Sequence, residues 1–258
     1  MANAAALLPN IRRLFIPDPG YVILDVDLAG ADAQVVAWEA EDEDLKAAFR
    51  AGLKVHEKNA TDIWGDLYTG LPPGHLRDRL YKQTKVCVHA TNYIGSARTI
   101  AITQGWPVQK AADFQRRWFS LHPGIKRWHQ RVERSLESSR KVVNAFGFHV
   151  VYFDRIDTIL PEAVAWGPQS TVATTCFKGA LQLRDRLPWV QILLQVHDSL
   201  VLQIPRARIK DLLLVRDALL NPIPYSDPLV IQWGLALSPR SWGEVEKMDW
   251  EAAIDLKL

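Results

Sequence analysis

WVQILLQVHDSLVLQIP, residues 189–205, is the stretch that decides the fold. Two apolar runs flank a polar centre made of Gln195, His197, Asp198 and Ser199, the pattern of a β-hairpin whose tip carries chemistry. Outward toward the N-terminus, FIPDPG (residues 15–20) is a turn signal that leads into YVILDVDLA, which reads as a buried strand. That strand delivers Asp27 to its end just before a helical pattern begins at Ala31. ADAQVVAWEAEDEDLKAAF (residues 31–49) is rich in helix formers and is expected to run until Gly52 interrupts it.

The rest of the chain alternates long helices with separated strands. Pro72, Pro73 and Gly74 break the chain before HLRDRLYKQTKVCVHATNYIG, a helix expected from Leu76 to Ile94. Two further helices are expected over 109–141, divided at Pro123-Gly124, followed by a hairpin NAFGFHVVYFD around Gly147. Residues 163–185 read as helical with an early interruption at Gly167-Pro168, and VIQWGLALS as a last strand. Helices and antiparallel-type strands in this order argue for an α+β fold, not a βαβ alternation.

With 258 residues and 48% apolar content the chain can bury a substantial core. It has no apolar run of about 18 residues to span a bilayer, and Met1 to Ala6 is too short and uncharged for a signal peptide, so a cytoplasmic setting is expected. Cys87 and Cys176 show neither metal-ligand nor disulfide spacing and read as buried thiols. The formal net charge is only +2, but charge is segregated. Residues 39–44 read EAEDED, whereas 110–141 carry nine Lys or Arg against three acids, interleaved with Trp118, Phe119 and Trp128. That interleaving suits a surface following a phosphate backbone, and equally a solvated helix face with core aromatics.

Two carboxylates stand out. Asp27 and Asp198 both leave hydrophobic surroundings at strand ends, and a pair converging on a sheet edge makes an Mg²⁺ site. The plainer reading of each is a turn or capping residue. On the helix from Leu76, Lys85, His89 and Tyr93 share a face, with Lys82 one turn before Lys85, so that a cation, an imidazole and an aromatic ring line one stripe. The stripe could grip a triphosphate and stack a base, or be a basic helix whose Tyr93 is core.

The order of these motifs resembles the family-A (DNA polymerase I-like) DNA polymerases across nearly the whole chain. DLAGADAQVVA (residues 27–37) resembles the first palm motif, and VHEKNATDIWG the element whose histidine, here His56, reaches the incoming phosphates. Tyr81, Lys85, His89 and Tyr93 fall at the spacing of the fingers helix, GPQST (residues 167–171) resembles the segment with a minor-groove glutamine, and LLQVHDSLV the last motif. FSLHPGIKRW and SWGE (residues 241–244) also fall in family order.

The resemblance implies an antiparallel palm sheet with helical fingers, a right-hand polymerase fold without a thumb. Palm would occupy 1–50 and 146–258, and fingers 51–145. It implies template-directed transfer of dNTPs to a primer 3′-hydroxyl, with two Mg²⁺ held by Asp27, Asp198 and the Leu28 carbonyl. Lys85 would bind the triphosphate and protonate the leaving pyrophosphate, with Asp32, His56, Lys82, His89 and Tyr93 around the nucleotide. Gln34, Gln169, Gln195 and His197 would face primer-template DNA.

This sequence departs from the family pattern at Tyr81, which replaces a triphosphate-binding arginine, and at Ser199, which replaces a glutamate. Asp32 is one methylene shorter than the usual Glu, and His89 stands where an aromatic is common, which leaves ribonucleotide use by a primase or RNA polymerase open. Tyr81 and Ser199 leave open a catalytically silent DNA-binding subunit, and the two aspartates alone a metal-dependent hydrolase. Only a short segment precedes Tyr21, so neither thumb nor exonuclease domain is expected in this chain. The resemblance leaves room for a second protein supplying thumb or processivity, and for a phage or plasmid setting in a host cytoplasm.

Overall fold

The computed structural model describes residues 10–256; Met1–Ala6 lies outside the described residues. After a 3₁₀ turn at Ile11–Leu14 come β1 (Tyr21–Leu28), α1 (Ala31–Glu39), α2 (Glu43–Arg50), α3 (Val55–Trp64) and α4 (Asp66–Thr69). Then follow α5 (His75–Asn92), α6 (Ala97–Gln104), α7 (Val108–Leu121), α8 (Pro123–Ser139), β2 (Lys141–Val143), β3 (His149–Val151) and α9 (Ile156–Arg186). The chain continues through β4 (Gln191–Val196), β5 (Ser199–Pro205), α10 (Leu212–Leu219), β6 (Trp233–Ser238), β7 (Glu246–Met248) and α11 (Trp250–Ala253). The α+β class expected from the sequence is what the chain adopts. It divides into two compact units, one of residues 1–31 and 172–258, the other of 32–171.

The first unit is built on a five-stranded antiparallel sheet in the order β4-β5-β1-β6-β7. Its register sets Asp27 opposite Ser199 on β5 and opposite Gly234 on β6. Side chains alternate across the sheet. Val22, Leu24, Val26 and Leu28 are buried with Leu200, Leu202, Ile204 and Leu235, each burial contributing about 1.5–3 kcal/mol. Ile23, Asp25 and Asp27 share the other face, where Ile23 packs with Val201 and Trp242. Gly179 of α9 lies where a Cβ would sit 3.2 Å from Leu219 and 3.3 Å from Trp233, so its missing side chain allows α9 to approach α10 and β6.

The second unit is helical apart from the β2–β3 hairpin, whose turn contains Gly147 at φ +87°. Its core joins Val36 and Ala40 to Ile125, Trp128, Leu136, Val142, Tyr152 and Val164.

Two expectations need correction, and one open alternative is decided. The helix expected over 31–49 is two helices. Glu41 takes φ +50°, and Asp42 then caps α2 by accepting from the Leu45 amide at 3.1 Å, so a local carboxylate cap competes successfully with continuous helix. The helix expected over 163–185 starts earlier and runs unbroken through Pro161 and Pro168. Ala163, Val164, Thr171, Cys176 and Leu183 are all fully or almost fully buried along it. That packing offsets the roughly 3 kcal/mol cost of an internal proline. Of the two readings left open for residues 110–141, the tryptophans follow the one with core aromatics: Trp118 and Trp128 are 0% and 3% exposed.

Candidate active site

In the first unit the hairpin tip and the end of β1 are tied by backbone. The β1–β5 ladder continues past its last paired residues, the Leu28 amide donating to the Asp198 carbonyl at 3.0 Å. This bond fixes the Asp198 backbone beside the residue that follows Asp27. The two-residue tip is compact because His197 adopts φ +53°, an uncommon conformation for a side chain other than glycine. Gln195 reinforces the tip by donating from Nε2 to the His197 carbonyl at 2.5 Å, and Ser199 Oγ donates to the Val196 carbonyl at 3.0 Å.

Asp27 and Asp198 line one cavity of about 310 Å³ with Arg12, Asp25, His197, Ser199 and Lys247. A second cavity of about 550 Å³ shares Asp27 and Lys247 and is otherwise walled by Ala29, Gly30 and Gly234 among others. Gly234 leaves the space that the Asp27 carboxylate occupies, since a Cβ there would lie 2.6 Å from Oδ1. Asp25, two residues before Asp27 on the same face, accepts from Trp242 Nε1 at 2.7 Å. Neither Asp27 nor Asp198 pairs with a protein cation among the described residues. Unpaired, half-buried carboxylates and an all-oxygen donor set fit a hard divalent cation such as Mg²⁺.

The second unit gathers Asp32, His56, Lys85, His89 and Tyr93. Asp32 lies in the first turn of α1 and is held by two side chains at the C-terminal end of α5: His89 Nδ1 lies 3.2 Å from Oδ2, and the Tyr93 hydroxyl donates to Oδ1. Tyr93 lies just past the end of α5, yet its ring still meets His89 edge to face at 4.9 Å. The Asp32 hydrogen bond holds the His89 pKa above the usual histidine range, against burial and the positive charge of Lys85. His56 moves the opposite way: burial and Lys85 depress it, with Asp32 opposing. Its Nδ1 is buried without a hydrogen-bond partner, and its ring stands edge-on to Tyr81 at 6.3 Å.

Lys82 lies instead on a groove with His75, Asp78, Arg79, Gln83 and Gln104. Gln169 is exposed on α9 and Gln34 is half-buried on α1. The sequence reasoning missed Asp25, Gly234 and Lys247. Period-two alternation in YVILDVDLA could have found Asp25, and a glycine inside a strand is itself a signal of close approach. Both cysteines are buried, and burial pushes each thiol up to about 12.

Among the described residues, one set of three or more potential ligands falls within metal-binding distance: Asp42, Asp44 and His122, whose ligand atoms lie within 4.8 Å of one another. Protein partners already occupy these atoms. Asp42 bonds His122 Nδ1 at 3.1 Å besides capping α2, and Asp44 pairs with Lys58 at 2.5 Å. Burial favours the neutral Asp42 carboxyl, but the bonds from His122 and the Leu45 amide outweigh it and lower the pKa. The cluster therefore reads as a structural brace holding the 40–42 bend to the start of α8, where Gly124 allows the Ala40 carbonyl to approach closely.

The chain belongs to DNA polymerase family A, whose sequence model matches residues 4–244. It is similar to the thermostable DNA polymerase I of Thermus filiformis, with 28% identity over 251 residues, covering 92% of this chain and 29% of that protein. It is also similar to DNA polymerase I of Geobacillus stearothermophilus, with 25% identity over 242 residues, 87% of this chain and 26% of that protein. The chain thus spans under a third of these relatives. Among solved structures it is similar to the POL domain of Pol1 from M. smegmatis, in complex with DNA primer-template and dNTP. The TM-score is 0.76 with 19% identity, covering 91% of this chain and 42% of that one, a likeness of fold. Among the described residues no helix is long and apolar enough to cross a membrane.

Proposed function

We infer that this chain carries the palm and fingers of a template-directed DNA polymerase, with 1–50 and 146–258 as palm and 51–145 as fingers. It would transfer dNTPs to the 3′-hydroxyl of primer-template DNA. The observation that carries this reading is the convergence of Asp27 and Asp198 on one cavity, tied through the Leu28–Asp198 bond. Asp27, Asp198 and the Leu28 carbonyl would hold two Mg²⁺, which when bound activate the attacking hydroxyl and stabilise the leaving pyrophosphate. Gly234 keeps room for the Asp27 carboxylate, and Trp242 keeps Asp25 turned to its own indole.

In the second unit, Lys85 would bind a triphosphate through its ammonium and pass one proton to the departing pyrophosphate, becoming neutral as it does so. His56 adds a donor for the phosphates, whereas Lys82 faces the separate groove with His75 and Arg79 and is left out of this role. Asp32, clamped by His89 and Tyr93, presents a fixed edge to the nucleotide sugar, and the His89–Tyr93 ring pair offers a surface for the base. Gln34, Gln169, Gln195 and His197 contact the duplex, whose sequence is read by pairing with the template.

Single-nucleotide incorporation opposite each of the four template bases tests the reading. Incorporation of only the complementary dNTP, dependent on Mg²⁺, supports it; incorporation indifferent to the template base, or none at high enzyme and low salt, defeats it.

A further inference from the structure

Strand β7 lies outside the residues that match the family, 4–244, and completes the sheet. It is well anchored. In the segment that follows it, Trp250 is 6% exposed and donates from Nε1 to the Trp233 carbonyl at 2.7 Å, while Glu251 pairs with Arg216 at 2.6 Å. The register sets Lys247 beside Ala236, whose other neighbour is Asp25, so the three residues form a row across β7, β6 and β1 on one sheet face. At two strand spacings, Lys247 starts roughly 10 Å from Asp25, within reach of the carboxylate cavity for a long side chain.

Lys247 lines both cavities that contain Asp27, yet it is exposed and forms no ion pair among the described residues. An ammonium that stays unpaired beside Asp25, Asp27 and Asp198 is placed for an anion arriving from outside. The two cavities meet at Asp27 and Lys247, which suits an extended polyanion running along the sheet edge better than a compact one.

We propose that Lys247 is a phosphodiester-binding residue that holds the backbone of primer-template DNA beside the carboxylate cavity. The proposal rests on the polymerase reading. The lysine is a positioning residue: its contact brings the strand to the carboxylates and takes no part in bond making.

The test compares the unsubstituted chain with Lys247→Ala and Lys247→Arg. Affinity for a fluorescent primer-template is measured in EDTA at several salt concentrations, and steady-state KM is measured for duplex and for dNTP with Mg²⁺. Lys247→Ala is expected to weaken duplex binding roughly fivefold and to reduce the slope of log affinity against log salt by about one, with Lys247→Arg restoring both. KM for dNTP should be unchanged. Equal duplex affinity and salt slope in Lys247→Ala, while the unsubstituted chain extends primers, overturns this inference and leaves the polymerase reading intact. An effect confined to KM for dNTP overturns the phosphodiester assignment in favour of a triphosphate contact. Failure of the unsubstituted chain to bind or extend any duplex overturns both.

Discussion

The amide of Leu28 donates to the carbonyl of Asp198 at 3.0 Å, so the end of β1 and the β4–β5 tip form one hydrogen-bonded unit. Residues 170 positions apart are thereby locked at backbone level, and the placement of Asp27 and Asp198 on one cavity does not depend on flexible side chains alone.

Gly234 provides a prediction that separates geometry from charge. In Gly234→Ala the new methyl would meet Asp27 Oδ1 at 2.6 Å and must displace the carboxylate. Primer extension should fall by at least about a hundredfold, on the scale of a misplaced catalytic group, with the far-ultraviolet circular dichroism unchanged. Near-normal extension in a folded variant would show that Asp27 has room to move without consequence.

The brace at the 40–42 bend is a stability element. Asp42→Ala removes the α2 cap and strands the almost fully buried His122, so unfolding free energy should drop by about 2–4 kcal/mol. Urea denaturation measures this. A loss well under 1 kcal/mol would mean the bend holds without its carboxylate.

His89 predicts a pH dependence. Its folded pKa is raised, chiefly by the Asp32 bond, above the unfolded value of 6.5. The stabilisation is therefore complete below that value and is lost as pH rises through the folded pKa. Since the side chain is 61% exposed, the effect is small. The Tm difference between the parent chain and His89→Gln should be largest in mild acid and shrink above neutrality; a difference growing with pH would contradict the assignment.

Cys87 and Cys176 are buried, with pKa pushed up to about 12. Neither should react with a maleimide on the native chain near neutral pH, and both should react once guanidinium unfolds it. Rapid native labelling of either would place it at the surface.

Much of the fold was legible because local signals and burial agreed. Asp27 and Asp198 ended apolar runs that became β1 and the β4–β5 tip, and Gly147 marked the β2–β3 turn. Local signals failed where tertiary partners decided the outcome. Glu41 and Asp42 are good helix neighbours until His122 and Gly124 arrive from 80 residues away, and Pro168 looks like a breaker until the burial of α9 is known. Of the candidate site, the sequence singled out the two carboxylates that come to line one cavity and the His89–Tyr93 pair that meets Asp32. Gly234, a glycine inside a strand, signals a close approach but not its partner, and Lys247 carries no local signal, because both partners are set by cross-strand register.

The most direct measurement of the central claim is extension of a labelled primer-template by the purified chain with Mg²⁺ and dNTPs, beside Asp27→Ala and Asp198→Ala. The account predicts extension by the parent chain and its loss in both variants, with all three proteins folded. Extension that survives either substitution would contradict it.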